Sequence, residues 1–527
     1  MKWTFLGILF ASLGIQGAAA VNAAQDLRTV ALRPDLISLG TPRINNRGEV
    51  AFTSPVEGVK AEVGGVLTTI VANGDPAPGT TVHFGGFENA FLDDSGMVHI
   101  RGTLEGSGVT FGVNERGLWT YSGTQGTLDI RMGDQAPGAG PGVKFRALKA
   151  EFDSSTIAFT QDNRISFGGR LTGPGVTTSN DYGFWSEASG SLDLVAREGD
   201  PAPGMPAGVV FSRFNGVPQM NAQGATTFRG EVTGPGISGD NFEGIWIGSA
   251  HNLQLVAQRG QTAPGLGPQA TLSALGFPPL VNNSNQVTFS AFVGGVPDHL
   301  YSIWTGAPGD LQLVALDGQQ VPGALPGVVT ARLYNPLSNG ANETAFRAQV
   351  TGPGVTTTND FSIWSKVNGQ LRMLAREGDM PPGLLPGNSY SDLESFNTTM
   401  ALNNAGQLAM HMTYVDPQGD GHRGIWAQNA AGDLVLVVRE GQQLEVSPGV
   451  FRTIQFLYTD FRDSGLEDGR PSSFNERGQI AFFAGFTDNT SGVFVSDLVA
   501  VPEPSTAVLA SLGILVLTGR IRRRCRA

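Results

Sequence analysis

Hydrophobic and polar positions in this chain alternate in short bursts that return at a nearly fixed interval. The octet NERGQIAF, residues 475–482, has counterparts NNRGEVAF from Asn45, NAQGATTF from Asn221, NNSNQVTF from Asn282, NGANETAF from Asn339 and NNAGQLAM from Asn403, with looser copies DDSGMVHI at Asp93 and TQDNRISF at Thr160. The fourth position is Gly or Asn throughout: Gly48, Gly96, Asn163, Gly224, Asn285, Asn342, Gly406 and Gly478. Those two residue types tolerate positive φ, so each octet predicts a tight turn leading into a strand with one buried face.

A second element follows each turn: GLWTY, GFWSE, GIWIG, SIWTG, SIWSK, GIWAQ and GVFVS. It holds Trp119, Trp185, Trp246, Trp304, Trp364 and Trp426, with Phe494 in the seventh place. We read this aromatic stripe as core rather than as a ligand platform. A third element, typified by LVAREGDPAPG, places a Gly 14 residues after Trp119, Trp185, Trp246, Trp304 and Trp364 and 15 after Trp426. Counting back 14 from Gly74 lands on Lys60, so the first copy has the strand without the Trp.

Units of this kind recur about every 60 residues with four predicted strands each, the signature of an all-β repeat architecture. Such sheets must hide their edges, which a β-propeller does by closing a ring. The last unit stops at GVFVSDLVAV without its fourth strand, and LRTVALRPD (27–35) near the start parallels LRMLAREGD (371–379). The missing strand is therefore expected from the other end of the chain. The expectation is a β-propeller of eight four-stranded blades closed by the N-terminal strand; seven blades or an open β-repeat array is the alternative.

Composition agrees with short strands and many turns, with 73 Gly and only 15% charged residues among 527. The formal net charge of −12 argues against a nucleic acid or anionic membrane surface as partner. The single cysteine, Cys525, lies in the tail, and the six histidines are scattered without a metal-binding spacing. No cofactor or metal is expected. The weak calcium candidate, DPQGDGHRG (416–424), lacks the alternating acids and terminal Glu of an EF-hand.

Both ends read as addresses. Lys2, the apolar run TFLGILFASLGI and the small residues GAAAVNAA form a signal peptide over residues 1–23, with cleavage between Ala20 and Ala24. The propeller then occupies 24–500. In the tail 501–527, the triplet Pro502, Glu503 and Pro504 precedes 14 mostly apolar residues (506–519) and five arginines. As a helix the apolar run rises only about 21 Å, short of the roughly 30 Å hydrocarbon core, so it suits transient inner-membrane anchoring. This tail resembles the PEP-CTERM sorting signal of Gram-negative bacteria, whose family association implies recognition by exosortase, export, and release or transfer at the cell surface, often in an exopolysaccharide-producing host. The repeat itself resembles an NxxGxxAF tandem-repeat family found with varied C-terminal surface anchors.

Labelling the strands of each blade A to D from the axis outward puts the NxxG turns and the fixed-length hairpins on one face. The D-to-A loops (GDPAPG) and the B-to-C loops (LTGPGVTTSNDYG, YVDPQGDGHRG) share the other, where the variable lengths are expected to collect and where recognition usually sits. Candidate ligand-face residues are Asp181 and Asp360, four before a Trp, and the loop acids Asp75, Asp200 and Asp379. Against them, an Asp beside Pro or Gly commonly caps its own turn. Three functions fit: a non-catalytic binding or structural module for exopolysaccharide or a surface protein, a secreted glycan hydrolase or lyase, and a bare spacer. The enzyme reading needs two non-equivalent carboxylates, and the sequence offers no compelling pair.

Overall fold

Each NxxG octet builds its turn with its first side chain. In the last copy, Asn475 Oδ1 accepts the N–H groups of Arg477 (3.1 Å) and Gln479 (2.9 Å), while the Gly478 N–H closes the turn on the Asn475 carbonyl at 3.0 Å. Gly478 has φ 79°, and Asn285 and Asn342 take φ 57° and 58° at the same position. A left-handed residue there returns the chain as the next strand.

The structure is a computed structural model describing residues 27–36, 39–148, 157–160, 164–276, 278–296, 300–395 and 398–500. The expected signal peptide, Asn163, and the tail with Pro502, Glu503, Pro504 and the apolar run 506–519 lie outside the described residues. Within them all regular structure is β, in eight sheets, and no helix is long and apolar enough to cross a membrane.

Each sheet is a blade with strands in simple order, as in blade 4: Val210–Met220, Thr226–Thr233, Glu243–Gly248 and Gln254–Gln258. Blade 1 begins at Arg43–Ile44, and blades 2 to 8 begin at His83–Leu92, Lys144–Ala147, Val210–Met220, Thr271–Leu275, Val329–Ser338, Ser389–Ser391 and Val450–Tyr458. Blade 8 continues through Ile480–Phe486 and Ser491–Ser496, and its outer strand is Leu27–Arg33 from the other end of the chain. Thr29 pairs with Phe494 and Ala31 with Val493, so the ring of eight is closed by the N-terminal strand. An extra strand, Gln443–Ser447, lies against the inner strand of blade 8 and gives that sheet five.

The third strand shows why two of the recurring elements travel together. The six tryptophans among the described residues are buried to 1% exposure or less. Trp119, Trp185, Trp246 and Trp426 donate Nε1–H to the carbonyls of Pro78, Pro137, Pro203 and Pro382 in the loop that enters their own blade, at 2.9–3.0 Å. In these blades a Gly stands two residues before the Trp; a Cβ on Gly244 would lie 2.5 Å from the indole. In the two SIW copies, Ser302 and Ser362 replace that Gly, and their hydroxyls accept the indole N–H of Trp304 and Trp364 at 2.8 and 2.9 Å. Every third-to-outer strand pair has a register shift immediately before the Trp position or its equivalent, including Val59/Lys60 in blade 1, which places Lys60 at the tryptophan site.

The NxxG asparagines also join blade to blade. Asn221 Nδ2 donates to the Asn282 carbonyl (2.7 Å), Asn282 to Asn339 (2.9 Å), Asn339 to Asn403 (2.9 Å), Asn475 to Asn45 (2.8 Å), and Asn45 to Asp93 (2.9 Å). These first-position residues are at most 2% exposed. A second relay runs one residue later: Asn283, Asn404 and Asn46 accept, through Oδ1, the N–H groups of Ala222, Gly340 and Glu476 in the preceding blade. At these five of the eight boundaries the octet is a link from blade to blade, and a buried donor left unmatched costs about 1–3 kcal/mol.

Candidate functional site

One blade breaks the pattern, and the break builds the site. Between Tyr458 and Phe474 the inner strand of blade 8 is interrupted by the charged segment TDFRDSGLEDGRPSS. Its Ser472 carbonyl accepts the N–H of Ile44 (3.1 Å, blade 1), Gly469 that of Phe159 (2.6 Å, blade 3), Asp468 that of Met220 (3.2 Å, blade 4) and Ser464 that of Leu402 (3.0 Å, blade 7). Glu467 Oε2 accepts the N–H of Asn283 in blade 5 (2.7 Å), and Asp463 Oδ2 takes Asn335 Nδ2 (2.7 Å) and Arg347 Nη2 (3.2 Å) of blade 6. The inner strands of six other blades share only the central channel, so this segment is a plug in it. Ile44, Phe159, Met220, Asn283 and Leu402 each adjoin the first residue of an NxxG octet, which places the plug at the turn-face end. The part of the channel between the plug and the loop face is the well.

The expectation that variation collects in the D-to-A and B-to-C loops is therefore corrected: the largest departure lies inside an inner strand. Inner strands carry bulges elsewhere too, at Phe87/Asn89, Asn215/Gln219 and Tyr334/Leu337, and a bulge is where extra residues enter at least cost to the ladder. The sequence did carry a signal, since residues 460–470 hold six charged side chains in a chain that is 15% charged.

Where the plug meets blades 5 and 6 there is a cavity of about 390 Å³. Its wall is aromatic: the rings of Phe292 and Tyr301 lie 4.2 Å apart and those of Tyr301 and Tyr334 6.3 Å, while Phe361, outside the lining, stacks on Tyr334 at 6.0 Å. The exposed Arg332 guanidinium lies 5.8 Å from the Tyr301 ring centre. The floor is polar, from Arg462, Asp463 and Arg470 of the plug and Asn335 of blade 6. Beneath it, burial favours a raised Asp460 carboxyl, but the Arg43 and Arg462 guanidiniums overcome this and hold it at about 2. Arg462, Asp463, Leu466 and Asn335 all have positive φ, between 46° and 62°. Non-glycine residues held there cost about 1–3 kcal/mol each and persist only where their surroundings impose them.

The five candidate acids do not come together. Asp75 Oδ2 accepts the Ala72 N–H at 2.8 Å, closing its own loop, and Gln261 and Gln442 make the same bond in other blades. Asp200 and Asp379 occupy the equivalent loop position after blades 3 and 6, where their backbone carbonyls accept the N–H groups of Phe211 and Tyr390. Asp360 Oδ2 accepts Gln349 Nε2 at 2.7 Å, and Asp181 pairs with Arg170 at 2.9 Å. Asp181 lines a pocket of about 210 Å³ between blades 3 and 4, with Arg170, Tyr182, Glu198 and Arg213. Burial first, and Asp181 second, push the Glu198 carboxyl up to about 7. The sequence reading missed Glu198 because it sits in the repeated REGD signature, where Glu377 and Glu440 cap backbone N–H groups at the head of their own third strands. In DPQGDGHRG, Asp416 Oδ1 accepts the N–H groups of Gln418 and Asp420 at 2.9 Å, an Asx turn. Among the described residues, no group of three or more His, Cys, Asp or Glu is placed to hold a metal.

A propeller followed by an export signal defines the class. Residues 500–524 match the PEP-CTERM protein-sorting motif, which makes this an exported protein processed by exosortase and carried toward the cell surface. Over residues 44–508 the chain belongs to the Family of unknown function (DUF7453). No curated protein matches it. Among solved structures, the Dos1 propeller is 8% identical with a TM-score of 0.38, covering 90% of this chain and 94% of that one. The polysaccharide lyase Uly1 is 8% identical at 0.33, covering 80% and 94%, and Trypanosoma rangeli sialidase 9% identical at 0.25, covering 95% and 63%. The blade count rests on this chain's own strand pairing.

Proposed function

We propose that the protein is a non-catalytic binding module of the cell surface or extracellular matrix, and that it takes exopolysaccharide into the well of its loop face. The observation that carries this is the aromatic wall Phe292, Tyr301 and Tyr334, with Phe361 stacked on Tyr334, over a floor of arginine, asparagine and aspartate in one cavity. Sugar rings present apolar C–H faces that lie on aromatic rings and hydroxyls that need fixed donors and acceptors, and such mixed concave sites are where small ligands bind. Kinship with the NxxGxxAF repeat proteins and short-lived anchoring through residues 506–519 belong to the same reading. A glycan array probed with the chain from residue 24 to 500 should show binding that Tyr301→Ala and Tyr334→Ala remove; an array blank with the unaltered protein sinks the proposal.

The second reading, a glycan hydrolase or lyase, is favoured by one observation, the convergence of Asp181 and Glu198 on the pocket between blades 3 and 4 with Glu198 raised to about 7. A carboxyl near 7 is suited to proton transfer at neutral pH. Glu198 is also placed to cap Tyr182 N–H, as its repeat equivalents cap theirs, which supports a structural role. Release of reducing or unsaturated ends from host polysaccharide, abolished in Glu198→Gln, would establish the enzyme instead.

A further inference from the structure

We infer that, before processing, the propeller stands with its NxxG-turn face against the membrane and its loop face, with the well, directed away. This rests on the proposed transient anchoring through residues 506–519.

The last docked residue fixes the exit point. Val499 is 3% exposed and packs in the core between blades 7 and 8. Its carbonyl accepts Gln407 Nε2 at 2.8 Å, and Gln407 follows the NxxG turn of blade 7 by one residue. A Cβ on Gly478 would lie 2.6 Å from that carbonyl and 3.2 Å from Ala500 Cα, so the chain leaves the domain across the NxxG turn of blade 8. Asp497, also on this exit, takes Gln479 Nε2 at 2.6 Å. The third strand of blade 8 ends at Ser496, on the turn face.

Distance then excludes the opposite orientation. Five residues, 501–505, separate Ala500 from the apolar run, and fully extended they span at most about 18 Å. An inner strand of 11 residues, such as Val210–Met220, sets the height between the two faces at about 35 Å. A tether leaving the turn face cannot bring the loop face to the bilayer.

The surface chemistry agrees. Val56, Phe111, Val113, Leu325, Met380 and Leu385 are exposed large apolar side chains in loop-face segments, at 52–85%, whereas the turn face has Val63, Val66 and Leu498. The turn positions nearest the exit, Asn404, Ala405, Glu476 and Arg477, are small or polar. The membrane-facing partner is thus a headgroup layer met by a polar face, and the side chains suited to a partner point outward.

The only cysteine is Cys525, so single labels are simple to place in the full chain carrying Cys525→Ser. Fluorophores at Ala405→Cys and Ala341→Cys on the turn face, and at Gln418→Cys and Thr357→Cys on the loop face, all exposed positions, would be read in vesicles containing headgroup spin-labelled lipid. The orientation predicts loss of fluorescence at the first two and none at the second two, with no loss anywhere once residues 501–527 are deleted. Quenching at Gln418→Cys and Thr357→Cys equal to that at the turn-face pair overturns the orientation alone. Failure of the full chain to co-sediment with vesicles overturns the anchoring, and the orientation with it.

Discussion

Asn475 donates from Nδ2 to the backbone carbonyl of Asn45 at 2.8 Å, joining two residues 430 positions apart. The same bond occurs between neighbouring copies of the octet elsewhere in the ring, so the seam between the last blade and the first has the same construction as an ordinary blade boundary. The outer strand adds to it: Arg28 donates to the Gly48 carbonyl at 2.7 Å and pairs with Glu62 of blade 1, and Thr29 Oγ1 donates to the Val446 carbonyl at 2.8 Å.

Removing residues 24–35 should therefore lower the melting temperature of the whole domain and favour self-association, because it exposes the Ser491–Ser496 edge. Thermal unfolding with light scattering reads both effects. An unchanged transition would mean that the seam contributes nothing.

The plug and the asparagine relay make a sharper prediction at Gly340. This is the position where the second relay lacks a side chain, and Glu467 supplies the acceptor instead, taking Asn283 N–H and Asn404 Nδ2 at 2.7 Å each. Glu467→Ala should cost about 1 kcal/mol by leaving the Asn283 N–H without its acceptor, while Asn404 Nδ2 keeps its second acceptor, Glu476 Oε1. Gly340→Asn should destabilise because its Cβ would lie 2.6 Å from Glu467 Oε1. The double variant should recover much of the loss, since an asparagine side chain at 340 reproduces the bond Asn404 makes to Gly340. Additive losses in this double-mutant cycle would show that Glu467 is not the stand-in.

Replacing Trp246 with Ala should cost about 3–5 kcal/mol, as for other large buried aromatics, and leave the Pro203 carbonyl without its donor. Denaturant unfolding checks this; a cost under about 1 kcal/mol would contradict a core role.

Stability should fall as pH rises through neutrality. Burial is the main force that pushes Glu198, Glu377 and Glu476 up to about 7, with Asp181, Glu394 and Glu467 adding respectively. A carboxyl raised on folding binds its proton more tightly in the folded state. Its contribution is full below the ordinary value near 4.5 and is lost as pH climbs through about 7. Asp460, held at about 2, acts oppositely, and its contribution disappears only as pH drops from about 4 toward 2. The melting temperature should peak near pH 4–5, and Glu476→Gln should flatten its decline toward pH 8. A maximum at pH 8 would contradict these environments.

The blade count and seam were legible because a strict repeat exposes its own gaps: the missing fourth strand after Phe494 and the spare strand at Leu27 are visible as letters. The burial of the tryptophans follows from the same periodicity. The well was not legible, because it is made by what departs from the repeat. Residues 460–470 read as one more polar loop until the ring is closed around them, and Tyr301 and Tyr334, from different blades, become neighbours only through the propeller's geometry. The loop acids stand out in the sequence for the opposite reason. Asp75 and Asp379 recur because a turn needs an acceptor, and glutamine replaces them in three blades.

Whether exopolysaccharide binds in the well is decided by its affinity for the 24–500 chain, read by calorimetry. Tyr334→Ala and Tyr301→Ala should each weaken binding at least about tenfold, or 1.4 kcal/mol, with the melting temperature preserved, while Asp75→Asn and Asp379→Asn at the loop tips leave affinity unchanged. Undiminished affinity in the tyrosine variants, or its loss in the loop-tip variants, would place the binding site outside the well.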